Sequence, residues 1–267
     1  MQLRGLSPTT QKNYSIIVGA FQNFFGKPAG EMGQNEVRAY LHYLREEKKL
    51  SADTVNSYNS TLKFLYEKVF NQEWSVKNVP RLKHRRKLPA ILSREEVQMI
   101  FDSTPNLKHK CILMTVYGSG LRVSEVAKLK VSDIDSKNMQ IFVHEGRGQK
   151  DRYALLSQIN LEFLREYWKV YKPIGWLFPG HKKGTHISVR AVQKMLEHAK
   201  DKANIKKAVS IHTLRHCFAT HLLESDTSLY HIKQLLGHNC IQTTCIYLHL
   251  MRMDLLKVKS PLDSMGG

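Results

Sequence analysis

From Pro80 to Pro89 the chain reads Pro-Arg-Leu-Lys-His-Arg-Arg-Lys-Leu-Pro, and no other stretch restricts the possible folds so sharply. Proline interrupts helix at both ends, because its ring lacks an N–H and clashes with the preceding turn. The cations between them repel one another and have no apolar face to bury. The stretch therefore reads as a linker over 79–91, and it divides the 267 residues into 1–78 and 92–267. Both pieces are long enough to carry a core of their own.

The first piece reads as helices alone. Ser7 followed by Pro8 is an N-cap with proline at the first helical position. Tyr14, Ile17, Phe21, Phe24 and Phe25 then recur at helical spacing until Gly26 ends the run. A second helix from about Glu36 shows Val37, Tyr40, Leu41 and Leu44, and a third from Ser51 shows Val55, Tyr58, Leu62, Leu65 and Val69. These stripes are read as core. Past the linker, Ser93 and Glu96 make a capping box, and helices continue to about Leu129. Met139–Glu145 and Asp151–Leu156 read as two strands, joined through Gly146-Arg147-Gly148-Gln149-Lys150 as a hairpin. Helices are expected near 158–172, 188–203, 211–224, 229–237 and 240–249. The expected fold is mainly α with a small antiparallel β-sheet.

Lysine and arginine number 41 against 23 aspartate and glutamate, a formal net charge of +18. Such an excess points to a polyanionic partner, nucleic acid before a membrane surface. Arg81, Lys83, Arg85, Arg86 and Lys87 are then read as a strap along a phosphate backbone, with a solvated tether as the alternative. The four cysteines form no CxxC pair, the first residues lack the apolar run of a signal peptide, and no stretch approaches a membrane span. These features read as a reduced, cytoplasmic protein without membrane attachment.

Two arginines, two histidines and a tyrosine suggest the chemistry. Arg122 stands in Gly118-Ser-Gly-Leu-Arg-Val-Ser-Glu125, His212 and Arg215 in His212-Thr-Leu-Arg-His216, His238 in Leu235-Leu-Gly-His238, and Tyr247 follows. Attack on a phosphodiester builds negative charge on the non-bridging oxygens and needs fixed cations around it. Guanidinium is planar, always charged and able to bind two oxygens at once, so Arg122 and Arg215 suit that task. Tyrosine ionises near pH 10 and needs a base and nearby cations to attack at neutral pH. His212 is read as that base and His238 as a donor to phosphate. Glu125, three residues after Arg122, could hold its guanidinium from behind. Singly, each of these residues is more often structural, and joint order and spacing carry the reading. Asp133 and Asp135 are a carboxylate pair, but they are read as structural residues preceding the strands, so no metal site is expected.

The order Arg, His-x-x-Arg, Leu-Gly-His, Tyr resembles the tyrosine recombinases, or phage integrases, over nearly the whole chain. The resemblance implies a SAM-like helical core-binding domain at 1–78 and a catalytic domain at 92–267, closing as a clamp around DNA. It implies a site-specific recombinase in which Tyr247 attacks phosphorus, forms a 3′-phosphotyrosyl bond and frees a 5′-hydroxyl. No cofactor, ATP or metal enters that chemistry. It further implies duplex DNA sites as partners, a homotetramer of two synapsed dimers docked through the segment after Tyr247, and accessory DNA-bending or partner proteins, all beside the nucleoid.

One position departs from the family. Its hairpin usually reads Gly-Lys-Gly, with the lysine protonating the leaving oxygen. Here Arg147 takes that place and Lys150 follows, so either Lys150 is the acid or Arg147 stabilises the leaving oxygen by charge alone. Lys259-Ser-Pro-Leu-Asp263 resembles integron integrases, but the interval before His212 lacks their extra helical insertion. An integrase or transposon-type recombinase on duplex DNA is therefore expected, for integration, excision or resolution of a mobile element. A Xer-like dimer resolvase and an integron integrase are the alternatives. A type IB topoisomerase and a DNA-binding architectural protein with a lapsed active site remain as readings from other classes.

Overall fold

A computed structural model describes residues 6–75, 79–83, 89–144 and 151–250. The chain forms two compact units, Met1–Lys87 and Leu88–Gly267.

The first unit is built on three helices, α1 (Pro8–Phe25), α2 (Gln34–Glu46) and α3 (Ala52–Lys68). Ser7 accepts the Thr10 N–H at 3.2 Å, and Gly26 closes α1 at φ 64°, a left-handed cap that costs glycine little. Phe21, Val37, Tyr40, Leu62 and Leu65 fill the space between the helices. Tyr66 is buried with them, its hydroxyl donating to the Ala29 carbonyl at 2.9 Å. Two residues of the expected stripes are exposed: Phe24 by 42% and Val69 by 49%. Val69 is already the cap of α3. Phe24 lies against the rings of Phe25, Tyr40 and Tyr43 at the margin.

The basic stretch is anchored where it begins. Val79 is buried in the first core. The Asn56 amide donates to the Leu82 carbonyl at 3.0 Å and its oxygen accepts the Leu82 N–H at 2.9 Å. Arg81 donates to the Ser60 hydroxyl at 2.5 Å. Leu92, at the far end, is buried in the core of the second unit. The described ends are thus packed segments rather than a free tether. Arg85, Arg86 and Lys87 fall outside the described residues.

In the second unit α4 (Arg94–Asp102) begins at the Ser93–Glu96 capping box. The helix α5 (Leu107–Ser119) is buried on nearly every side, with Cys111, Ile112, Leu113, Met114, Thr115 and Val116 all covered. It is the post against which α7 (Gln158–Tyr171), α8 (Val189–Lys202) and α9 (Ile211–Leu223) pack. Between α6 (Val123–Ala127) and α7 runs an antiparallel sheet of β1 (Ile134–Asp135), β2 (Gln140–Val143) and β3 (Arg152–Leu155), in that order. Ile141 pairs with Ala154 and Val143 with Arg152. β1 is a third strand that the pattern did not reveal, and Asp135 lies within it rather than before the strands. Asp133 is buried and accepts from the Lys130 N–H at 2.8 Å and pairs with the His144 ring at 2.8 Å. The residues joining β2 to β3, including Arg147 and Lys150, lie outside the described residues.

The last elements are α10 (Leu229–Leu236), α11 (Ile241–Cys245) and a 3-10 turn at Ile246–His249. The single helix expected over 240–249 is therefore a short α-helix that tightens before Tyr247. Phe218, Ala219, Ile232, Leu236 and Tyr247 form a small separate core there.

Candidate functional site

Arg122 is the N-cap of α6, placed just after the left-handed Gly120 at φ 60°. Glu125 is the third residue of that helix. Its carboxylate accepts the Arg122 N–H at 2.8 Å and the Arg122 guanidinium at 2.7 Å. The expected support of Arg122 by Glu125 is present, and the same carboxylate carries a second arginine. Arg152, the first residue of β3, donates from both terminal nitrogens to Glu125 at 2.9 and 2.8 Å, and from Nε to the Leu235 carbonyl at 3.3 Å. Burial pushes the Glu125 pKa up, but the hydrogen bonds and charge of Arg152, followed by those of Arg122, hold it at about 2.

Arg215 lies in the middle of α9 and is buried. Its guanidinium donates to the Gly120 carbonyl and to the Leu236 carbonyl, both at 2.6 Å, and lies 3.3 Å from Nε2 of His238. Burial first, then the charge of Arg122, lowers its pKa to about 10, which leaves it charged at neutral pH. His238 follows Gly237, the left-handed cap of α10. Its Nδ1 lies 2.9 Å from the Thr244 hydroxyl, and its ring stacks on that of Tyr247 at 6.4 Å and 10°.

Tyr247 is only 2% exposed. Burial raises its pKa, and the charges of Arg215 and Arg122 pull it back in part. Its hydroxyl lies 3.2 Å from Nδ1 of His216. His212, read from sequence as the base, is exposed on α9 and has no hydrogen-bond partner among the described residues. Desolvation, Arg215 and Arg122 lower its pKa, while Glu125 opposes them.

The structure therefore brings together Arg122, Glu125, Arg215, His238 and Tyr247. Sequence reasoning missed Arg152, His216 and Thr244. His216 carried a signal, because four residues after His212 is one turn of the same helix face. Arg152 carried none: its partner is 27 residues away in the chain. Arg81 and Lys83 are exposed. Among the described residues no three His, Cys, Asp or Glu side chains converge as a metal would require, and no helix is long and apolar enough to cross a membrane.

The profile of the phage integrase family matches residues 90–253, and that of the phage integrase N-terminal SAM-like domain matches residues 1–76. An integrase/recombinase protein of Sinorhizobium fredii is 40% identical over 264 residues, covering 98% of this chain and 86% of that protein. The tyrosine recombinase XerC of Halalkalibacterium halodurans is 33% identical over 270 residues, covering 92% and 88%. The Tn1549 transposon integrase, solved in complex with a circular intermediate DNA, has the same fold, with a TM-score of 0.73 at 17% identity over 92% of each chain.

Proposed function

The chain belongs to the phage integrase family and is a site-specific DNA recombinase of the tyrosine type, and from that premise we propose that Tyr247 is its nucleophile. The phenol oxygen bonds to the scissile phosphorus, the bond to the 5′-oxygen breaks, and a 3′-phosphotyrosyl link keeps its energy for rejoining. Arg122 and Arg215 hold the non-bridging oxygens, with His238 donating beside them and His212 three residues before Arg215 on the same helix. A preorganised cation set of this kind supplies the largest share of such a rate enhancement. Glu125 orients Arg122, and Lys150 or Arg147 serves the leaving oxygen. One observation carries the reading: Arg215 bonds to the segment bearing Arg122 and to the segment bearing His238, while His238 stacks on Tyr247.

DNA recombination sites are the partners. We take them to be duplex sites of a mobile element; the Sinorhizobium fredii relative is an integrase/recombinase. A homotetramer assembled on DNA in the cytoplasm, with accessory DNA-bending proteins, completes the proposal. Arg81 and Lys83, with Arg85, Arg86 and Lys87, contact phosphate.

Covalent trapping tests this. The protein is incubated with fragmented DNA in EDTA and quenched with detergent, and the attached DNA is sequenced. The expected result is an adduct at defined sites that is absent from Tyr247→Phe. An adduct surviving in Tyr247→Phe, or none from the unaltered protein that still binds DNA, refutes it.

A further inference from the structure

The Tyr247 hydroxyl is 3.2 Å from Nδ1 of His216, with ring centroids 5.7 Å apart and planes at 54°. His216 is the only hydrogen-bond partner of that hydroxyl among the described residues. A buried phenol O–H left without an acceptor has lost its hydration with nothing in return. The hydroxyl therefore donates to Nδ1, and the ring carries its own proton on Nε2. Burial, then His212 and Arg215, lower the His216 pKa, which favours the neutral ring and its accepting lone pair.

We propose that His216 is a catalytic residue of recombination: its Nδ1 receives the Tyr247 proton as the oxygen bonds to phosphorus, and returns it when the strand is rejoined. The proposal rests on the reading of Tyr247 as nucleophile. The step balances: the Tyr247 O–P bond forms, the P–O5′ bond breaks, and the phenol proton moves to Nδ1. The 5′-oxygen takes a separate proton, from Lys150 where that lysine is the acid and otherwise from solvent, and the reverse reaction sends each proton back.

Neither of the other histidines at the site meets the hydroxyl. His238 presents its ring face to Tyr247, and its two nitrogens face Thr244 and Arg215. His212 makes no hydrogen bond among the described residues. Among the described residues, the charged and titratable groups around the pair are His212 and Arg215 on α9, Arg122 ahead of α6, and His238 after α10. Buried beside Arg215 and His212, a protonated His216 is unfavourable, so it holds the proton only briefly and releases it readily to the departing tyrosine.

The test is single-turnover formation of the tyrosyl–DNA adduct between pH 5 and pH 9, in the full chain, for the unaltered protein, His216→Ala and His216→Gln. Glutamine can accept the hydroxyl but cannot carry its proton. At neutral pH both variants should slow by about 10²-fold or more, the usual worth of a general base. The unaltered protein should lose rate on acidification with a midpoint below the ordinary histidine value of about 6.5. That limb should be replaced in both variants by a rate still climbing at alkaline pH. His216→Gln at the unaltered rate with the same pH profile overturns the proposal, since the ring would then be only a hydrogen-bond post. Nitrogen NMR of the ring in the unaltered protein decides independently of how the variants fold: an Nε2–H tautomer supports the proposal and an Nδ1–H tautomer overturns it. Failure of the parent reading is distinct, because it appears as an unaltered protein without an adduct or an adduct surviving in Tyr247→Phe.

Discussion

Arg152→Met isolates what the buried ion pair contributes. The Glu125 side chain is 7% exposed and that of Arg152 11%. Glu125 is held at a pKa of about 2 against an ordinary 4.5. At about 1.4 kcal/mol per unit, the partners together favour the ionised carboxylate by about 3 kcal/mol. Arg152 is the largest favourable contributor, through two side-chain hydrogen bonds and its charge. Methionine fills similar space but leaves Glu125 with Arg122 as its close partner. Stranding one member of a buried pair costs about 3–5 kcal/mol, and the remaining arginine reduces that to roughly 2–3 kcal/mol. For a unit the size of Leu88–Gly267 this lowers Tm by about 5–10 °C.

The pH dependence has a definite sign. A carboxylate whose pKa falls on folding contributes stability above its unfolded value, about 4.5, and loses it as pH falls towards 2. The gap in Tm between the unaltered protein and Arg152→Met should thus be full at pH 7 and shrink as the buffer is taken below pH 4.5. Thermal unfolding across that range reads it. Adding Glu125→Gln removes the stranded charge, so the double variant should be more stable than the sum of the single losses, by about 2 kcal/mol. Additivity within about 0.5 kcal/mol, or a Tm of Arg152→Met within about 2 °C of the unaltered protein at pH 7, refutes the reasoning.

Gly120→Ala places a Cβ into the Phe218 ring and 3.1 Å from the Leu236 side chain, at a φ of 60° that alanine disfavours. Overpacking and backbone strain together should cost about 2–4 kcal/mol in denaturant unfolding, and a loss under about 0.5 kcal/mol contradicts the packing described. Lys83→Ala should lower the slope of log affinity for DNA against log salt by about 0.9, whereas a slope unchanged in a salt titration removes Lys83 from the phosphate contacts. Arg215→Lys cannot reach both the Gly120 and Leu236 carbonyls from one ammonium, so it should cost about 1–3 kcal/mol of stability as well as adduct formation; full thermal stability with lost activity would make its role purely chemical.

Much of the fold was legible because local signals marked it. Ser7-Pro8, Gly26, Ser51 and the Ser93–Glu96 box set helix ends by backbone chemistry that needs no tertiary partner. What stayed hidden depends on partners far along the chain. β1 is two residues long and exists through its pairing with β2. The anchoring of Val79–Lys83 depends on Asn56 and Ser60 of α3, whose partners lie 26 and 21 residues away along the chain. Val69 sits on the helical stripe of α3, but periodicity says which way a residue points, not whether anything lies opposite. At the site, Arg122, His238 and Tyr247 could be read from short local patterns. Arg152 could not, because a strand arginine acquires meaning only when the fold sets a buried carboxylate against it.

The same physics explains how Arg215 can be buried, which is costly for any cation. Arg215 is held by carbonyls from two other segments, the one ahead of α6 and the one closing α10. Each carbonyl belongs to a helix end, where backbone oxygens lack intrahelical partners and would otherwise be stranded. Glu125 does the complementary work, fastening Arg122 at a helix start and Arg152 on the sheet. The two clusters approach each other, with Arg215 3.9 Å from Glu125. A planar fork that satisfies two carbonyls at once is fixed in orientation before any phosphate arrives, which is what electrostatic preorganisation requires. The cations proposed to meet the phosphate are therefore also the cross-links of the catalytic unit, so stability and chemistry cannot be tuned separately at Arg215.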